Sequence, residues 1–177
     1  VQTVTGTLSV AELSAGQETS LTVTYQATND ALVTGLGLRL HFDSSVLSVG
    51  EVQDLLREGR QGNQIKDDTN NDDGDASTDK YFLATWADTN GEWPYGEAQP
   101  VTLFTLPMTA LSGFNGSTLK FTYSSLASGY TFEGADVAVS KIPGTVSSLS
   151  DLTATYTIAS QSTASSARSA AAITIPV

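Results

Sequence analysis

The 177-residue chain has no cysteine, one histidine and one methionine. The absence of cysteine excludes disulfides, thiolate nucleophiles and soft zinc sites together, leaving oxygen atoms as the only abundant metal ligands. A secreted domain without disulfides needs another staple, and a bound hard cation would serve. Positive charge is scarce as well. Eight Lys and Arg stand against nineteen Asp and Glu, giving a net charge of −11 and a pI near 4.2. Nucleic acid and anionic membrane surfaces would repel such a chain, whereas cations, Ca²⁺ above all, are favoured partners. There is no run of about 18 apolar residues, so no membrane insertion is expected. The opening VQTVTGTLSV lacks a basic n-region, so the segment reads as a mature chain or an excerpt of something larger. Its length suits one domain with a real core.

Amphipathic helix periodicity is nearly missing too, and period-two alternation takes its place. SLTVTYQA sets Leu21, Val23 and Tyr25 on one face and threonines on the other. LGLRLHF sets Leu36, Leu38, Leu40 and Phe42 against Gly37, Arg39 and His41. KYFLATWA (80–87), VTLFTLPM (101–108), LKFTY (119–123), DVAVS (136–140) and LTATYTI (152–158) are further strands. Turn-rich segments such as FDSS, SGFNGS and FEGAD separate them. Many short strands without intervening helices predict an all-β fold, an antiparallel β-sandwich. VLSVGEVQDLLREG (46–59) departs from the alternation, and is expected to form a short helix or a loop excursion between sheets. After Ile158 the composition turns to small residues, so residues 1–158 form the expected domain and 159–177 a linker or tail. The closing ITIPV could form an edge strand that Pro176 would limit.

What the chain does have is DDTNNDDGDASTD at 67–79, six aspartates and two asparagines with no basic residue among them. Adjacent carboxylates repel one another unless something positive sits between them. An EF-hand does not fit: read from Asp68, Asp73 falls where glycine belongs, and a start at Thr69 loses the first ligand. Asp73, Asp75, Ser77 and Asp79 do place oxygen donors on alternate residues, and a looping chain could converge them on one ion. Ca²⁺ is expected, with Asp67, Asp68, Asn70, Asn71, Asp72, Asp73, Asp75 and Asp79 as the pool of metal ligands. The competing reading is a hydrated acidic loop.

A second acidic turn, ADTNGEWPYGE, follows the strand at 80–87. Trp93, Tyr95, Asp88, Asn90 and Glu92 form the expected ligand-binding set, because ring faces supply contact area beside a cation that orients charge. Trp86, in register with Phe82 and Ala84, is expected in the core. His41, beside Arg39 on a polar strand face, reads as a surface residue. No nucleophile motif accompanies it, so no catalytic residue and no enzyme activity are expected.

The run VTYQATNDALVTGLGLRLHFDSSVLSV, in which GLGLRLHF leads into a Phe-Asp-x-x-Val-Leu-x-Val turn, resembles the opening of cohesin-like β-sandwich modules. In the Asp-Ser-Ser-Val-Leu turn, Asp43 can cap through its side chain while Val46 and Leu47 fold back onto the core. Together with the acidic loop, KYFLATWADTNGEWPYG and the section from Val101 to Gly134, the chain is similar to modules of very large calcium-dependent bacterial surface adhesins of the RTX type. Residues 3 to 158 carry the likeness. It implies a cohesin-like or jelly-roll sandwich, an extracellular place on the bacterial surface and a role in adhesion or biofilm. The nearest analogy is a peptide-binding domain in which Ca²⁺ helps grip a protein C-terminus on a host or neighbouring cell. The alternatives are a structural extender stiffened by calcium, a glycan-binding module, and a dockerin-binding one.

Overall fold

Alternation of apolar and polar residues builds two sheets in the computed structural model, which describes residues 1–57 and 64–144. These belong to one unit, Val1–Thr145. The expected strand at 152–158, the boundary near residue 159 and the 159–177 tail lie outside the described residues. Eleven strands are present among the described residues: β1 (Gln2–Leu8), β2 (Glu12–Leu13), β3 (Glu18–Ala27), β4 (Gly35–Phe42), β5 (Leu47–Val49), β6 (Gln64–Asp67), β7 (Lys80–Ala87), β8 (Val101–Ala110), β9 (Ser117–Leu126), β10 (Phe132–Gly134) and β11 (Val137–Lys141). One sheet has the order β10-β1-β3-β8-β5 and the other β2-β11-β9-β4-β7-β6. Pairing is antiparallel except for β1 with β10 and β2 with β11. The fold is an all-β sandwich.

Leu21, Val23, Tyr25, Phe104, Leu106 and Met108 of the first sheet face Leu36, Leu38, Leu40, Phe82, Ala84, Trp86, Leu119 and Phe121 of the second, and all are buried. The Phe82 and Phe104 rings meet across the gap at 4.9 Å between centroids, edge to face. Gly35, which opens β4, has φ +128°, and a β-carbon there would collide with the Trp86 carbonyl, so only glycine fits. β1 departs from strict alternation by burying Gln2. Its amide is satisfied by Tyr25 Oη, the Gly35 carbonyl and the Ala127 N–H. Burial pushes the Tyr25 hydroxyl up to about 12, against the opposing effect of the Gln2 hydrogen bond.

The segment after β5 is not helical. Gly50 N–H donates to the Pro107 carbonyl, Gln53 pairs with Thr105, and Leu56 N–H donates to the Leu103 carbonyl, so residues 50–56 run alongside β8 with a left-handed bend at Asp54. Edge pairing overrides the helix propensity of Leu, Glu and Arg here. The turn after β4 forms as the sequence indicates: Asp43 Oδ1 accepts from the Ser45 N–H and hydroxyl, and Leu47 is buried.

The two outer faces differ in chemistry. On the five-stranded sheet, Thr5, Thr24 and Thr102 lie in one cross-strand row and Thr7, Thr22 and Thr105 in the next. On the six-stranded sheet, β4 presents Arg39 and His41 while β9 presents Lys120 and Thr122, with Arg39 opposite Thr122 and His41 opposite Lys120.

Candidate functional site

β6 and β7 form a hairpin whose last rung is Asp67 opposite Lys80, and the Asp68 N–H to Asp79 carbonyl bond at 2.8 Å closes its loop. The acidic stretch is therefore a hairpin loop. Its internal shape comes from aspartates accepting hydrogen bonds from nearby backbone, the local chemistry that suits Asp to turns. Asp72 N–H donates to Asp68 Oδ1 at 3.2 Å, Asp75 N–H to Asp73 Oδ1 at 3.0 Å, and the Ser77 N–H and hydroxyl to Asp75 Oδ1. The buried Thr78 hydroxyl donates to Asp73 Oδ2 at 2.6 Å.

The loop docks on the outer face of the six-stranded sheet, where the charges that oppose it belong to the strands. Arg39 reaches Asp72 at 3.1 Å, Lys120 reaches Asp75 at 3.1 Å, and Lys80 reaches Asp67 at 2.6 Å. His41 Nδ1 lies 2.9 Å from Asp68 Oδ2, and its Nε2 lies 2.7 Å from Thr122 Oγ1. Hydrogen bonds from Ser77 and from Lys120 bring the Asp75 carboxyl down to about 2. Burial pushes Asp79 upward, but donation from the Ser44 hydroxyl and N–H outweighs it and holds the carboxyl below its ordinary value. Lys80 and Lys120 are raised above the usual lysine value, first of all by their hydrogen bonds to Asp67 and Asp75.

The expected ligand pool is thus divided. Asp73, Asp75, Ser77 and Asp79 do not converge on one point, because Asp75 turns to Lys120 and Asp79 to Ser44. Asp67, Asp68, Asn71 and Asp79, with Thr69 and Thr78, line an open cavity of about 420 Å³, and its polar side chains are all oxygen-bearing. That donor set suits a hard cation. Asp72 turns to Arg39, Asp73 brings a carboxylate oxygen within 4.8 Å of ligand atoms of Asp68 and His41, and Asn70 is exposed near the loop tip.

His41 is placed differently from the surface position expected. It is fully buried, because the loop folds over it. The sequence signal that could have found this is the pairing of the chain's only histidine and Arg39, on one strand face, with a loop of uncompensated acid.

The second acidic turn, 88–97, is not part of this assembly. It follows β7, whereas the acidic loop precedes it, and an eight-residue strand separates its ends by about 23 Å. Trp93 corrects the expectation most. It is 0% exposed, its backbone pairs with Val33, and its ring lies 4.3 Å from Tyr25 and 6.0 Å from Trp86 between centroids. It is a core residue, so a peptide or glycan finds no Trp93 ring face at the surface. Its indole N–H has no hydrogen-bond partner among the described residues. Trp86 is buried as expected, with Nε1 donating to the Leu56 carbonyl at 2.8 Å. Tyr95 is half-buried under the Arg57 guanidinium, 4.7 Å from its ring centroid. Asp88 Oδ1 accepts from the Asn90 N–H at 2.8 Å in a local turn, and Glu92 is exposed.

No family model matches the chain, and no curated protein matches it in sequence. Solved structures match it in fold. The seventh ScaB type I cohesin from Pseudobacteroides cellulosolvens superposes with a TM-score of 0.55 at 8% identity, over 82% of this chain and 94% of that one. A non-cellulosomal cohesin from the archaeon Archaeoglobus fulgidus gives 0.50 at 15% identity, over 80% and 91%. The OlpA cohesin of Clostridium thermocellum, solved in a type I cohesin–dockerin complex, gives 0.52 at 14% identity, over 79% and 99%. The sandwich is cohesin-like.

Proposed function

We propose that this chain is a non-catalytic protein-binding module displayed outside a bacterial cell, and that it meets its partner with the outer face of the six-stranded sheet and the docked acidic loop. The observation that supports this best is the extent of the fold match, which runs over 91–99% of the cohesins compared, one of them solved with a dockerin bound. The face itself adds support. Arg39, Lys80 and Lys120 are interleaved with Asp72, Asp67 and Asp75, and mixed charge of this kind sets register and selectivity with a protein partner. Asp68, His41 and Thr122 follow one another at hydrogen-bond distance like a base and its orienting acid. The imidazole, however, is sealed beneath the loop, so a substrate has no approach to it.

The partner class is a dockerin-like module, or a C-terminal peptide whose carboxylate is gripped by Ca²⁺ held in the oxygen-lined cavity of Asp67, Asp68, Asn71 and Asp79. Calorimetric titration of dockerin modules and of a C-terminal peptide library, in Ca²⁺ and in EDTA, tests both parts. Binding in Ca²⁺ that vanishes in EDTA is expected. Equal affinity in the two buffers removes calcium from the account, and silence across both panels removes the protein partner. Asp67→Ala with Asp79→Ala is expected to weaken metal and partner binding while leaving the sandwich folded. A second reading, a spacer of a surface adhesin stiffened by calcium, is favoured by the burial of Trp93, which removes the strongest recognition aromatic from the surface. It predicts a large fall in melting temperature on chelation together with no ligand at all.

A further inference from the structure

His41 is the only histidine in the chain, and it lies fully buried where two loop carboxylates meet it. One ligand atom from each of His41, Asp68 and Asp73 lies within 4.8 Å of the other two. The Asp68 side chain is only 1% exposed. Each member is also held from outside the trio. His41 Nε2 rests on Thr122 Oγ1 at 2.7 Å, Asp68 Oδ1 takes the Asp72 N–H, and Asp73 takes the Asp75 N–H and the Thr78 hydroxyl. Metal-binding imidazoles and carboxylates are oriented by such outer partners. In the tautomer that carries its proton on Nε2 and donates it to Thr122, Nδ1 offers its lone pair beside Asp68 Oδ2 at 2.9 Å, the form in which an imidazole binds a metal; in the other tautomer Nδ1–H donates to Asp68.

The donor set selects which cation. An imidazole nitrogen beside two carboxylate oxygens suits a first-row divalent ion, whereas Ca²⁺ prefers oxygen to imidazole. We propose that His41, Asp68 and Asp73 form a binding site for a small first-row divalent ion of the Zn²⁺ or Mn²⁺ class, held by one imidazole nitrogen and two carboxylate oxygens with water completing the shell. Such an ion staples the hairpin loop to β4 in a chain that has no disulfide. The site does not rest on the protein-binding reading. It shares Asp68 with the oxygen-lined cavity, but only this site needs His41.

Zn²⁺ added to the untagged, chelator-stripped 177-residue chain is the test, read by two-dimensional NMR of the imidazole, whose signals belong to a single residue. One equivalent of Zn²⁺ is expected to give the large imidazole ¹⁵N shift of a metal-bound Nδ1, which Ca²⁺ held by the neighbouring Asp68 does not produce. By calorimetry, His41→Gln and Asp73→Asn are each expected to weaken Zn²⁺ at least about tenfold. Imidazole signals that stay put in excess Zn²⁺ overturn the proposal, and so does an unchanged Zn²⁺ affinity in His41→Gln. The NMR arm needs no variant, so a misfolded mutant cannot obscure the answer. Neither arm involves a protein partner, so its failure is separate from failure of the protein-binding reading.

Discussion

The loop before β7 (68–79) and the turn after it (88–97) are both acidic and both shaped by Asp side chains accepting backbone N–H bonds, yet the first lies on the outer face of the sheet and the second sends Trp93 between the sheets. The difference is what each can bury. Nothing between Asp67 and Asp79 is larger than Thr or Asn, so that loop has no apolar group worth taking from water and is held by charge. The later turn carries Trp93, and the transfer of its ring into the gap between Tyr25 and Trp86 determines the path of the backbone around it. Two segments of similar polarity are thus anchored by unlike forces, one sensitive to salt and pH and the other to side-chain volume.

Truncating Trp93 breaks the comparison most severely. Trp93→Ala empties a fully buried site and is expected to cost about 3–5 kcal/mol, which at about 2–4 °C per kcal/mol lowers the melting temperature by roughly 6–20 °C. Differential scanning calorimetry reads this directly. A variant that melts within about 2 °C of the parent would show that the later turn is not anchored by its aromatic ring. The same substitution is expected to leave exchange protection of the 68–79 loop intact below the melting point, because the two segments lie at opposite ends of β7.

Removing the charges that hold the first loop is expected to do the reverse. In Arg39→Ala with Lys120→Ala, the partly exposed partners of Asp72 and Asp75 are lost. Ion pairs of this kind add little to global stability, so the melting temperature should move by no more than about 2 °C. The loop itself should open locally: hydrogen–deuterium exchange at Asp75, Ser77 and Thr78 should rise well above the parent's while β3 and β8 keep theirs. Raising the salt concentration should produce a weaker version of the same change. Unchanged exchange in the double variant would mean that the Asx turns alone hold the loop.

The sandwich was readable in the sequence wherever alternation was clean. SLTVTYQA, LGLRLHF, KYFLATWA and VTLFTLPM all became strands, the first three with the expected faces inward. β1 was hidden because Gln2 and Gly6 occupy places in its period where apolar residues would normally stand, and satisfying Gln2 takes partners from three other parts of the chain. β5 and the segment behind it were hidden because their structure comes from the β8 edge, not from their own propensity. At the site, the acidic loop was legible, but its internal turns and the cations facing it were not. Arg39, His41 and Lys120 are far from it in sequence, and only the pairing of β4 with β9 and β7 brings them under the loop. Trp93 was misjudged for a related reason. Its neighbours Glu92, Pro94 and Tyr95 mark a surface turn, and the residue that draws it inward, Tyr25, lies on the opposite sheet.

Acid gives the smallest and most local effect. Hydrogen bonds from Ser77 and Lys120 bring Asp75 from 3.8 to about 2, and Ser44 holds Asp79 below its ordinary value. A carboxyl whose folded value is depressed binds protons more readily once its segment is released, so its contribution is complete above the unfolded value and is lost as pH falls through the folded one. Loop docking should therefore be constant from neutral pH down to about 5, weaken below about 4 and be largely lost near 2. Lys80 and Lys120, raised by Asp67 and Asp75, set the other limit: their contribution holds below the usual lysine value of 10.5 and fades only above it. Exchange or limited proteolysis of the 68–79 loop at a series of pH values measures this, with β3 as the internal reference. Asp75→Asn should weaken docking at neutral pH and flatten the response between pH 4 and 2. A loop that loosens already between pH 7 and 5 would mean that a group other than these aspartates controls it, and the charge-held half of the comparison would have to be rebuilt around that group.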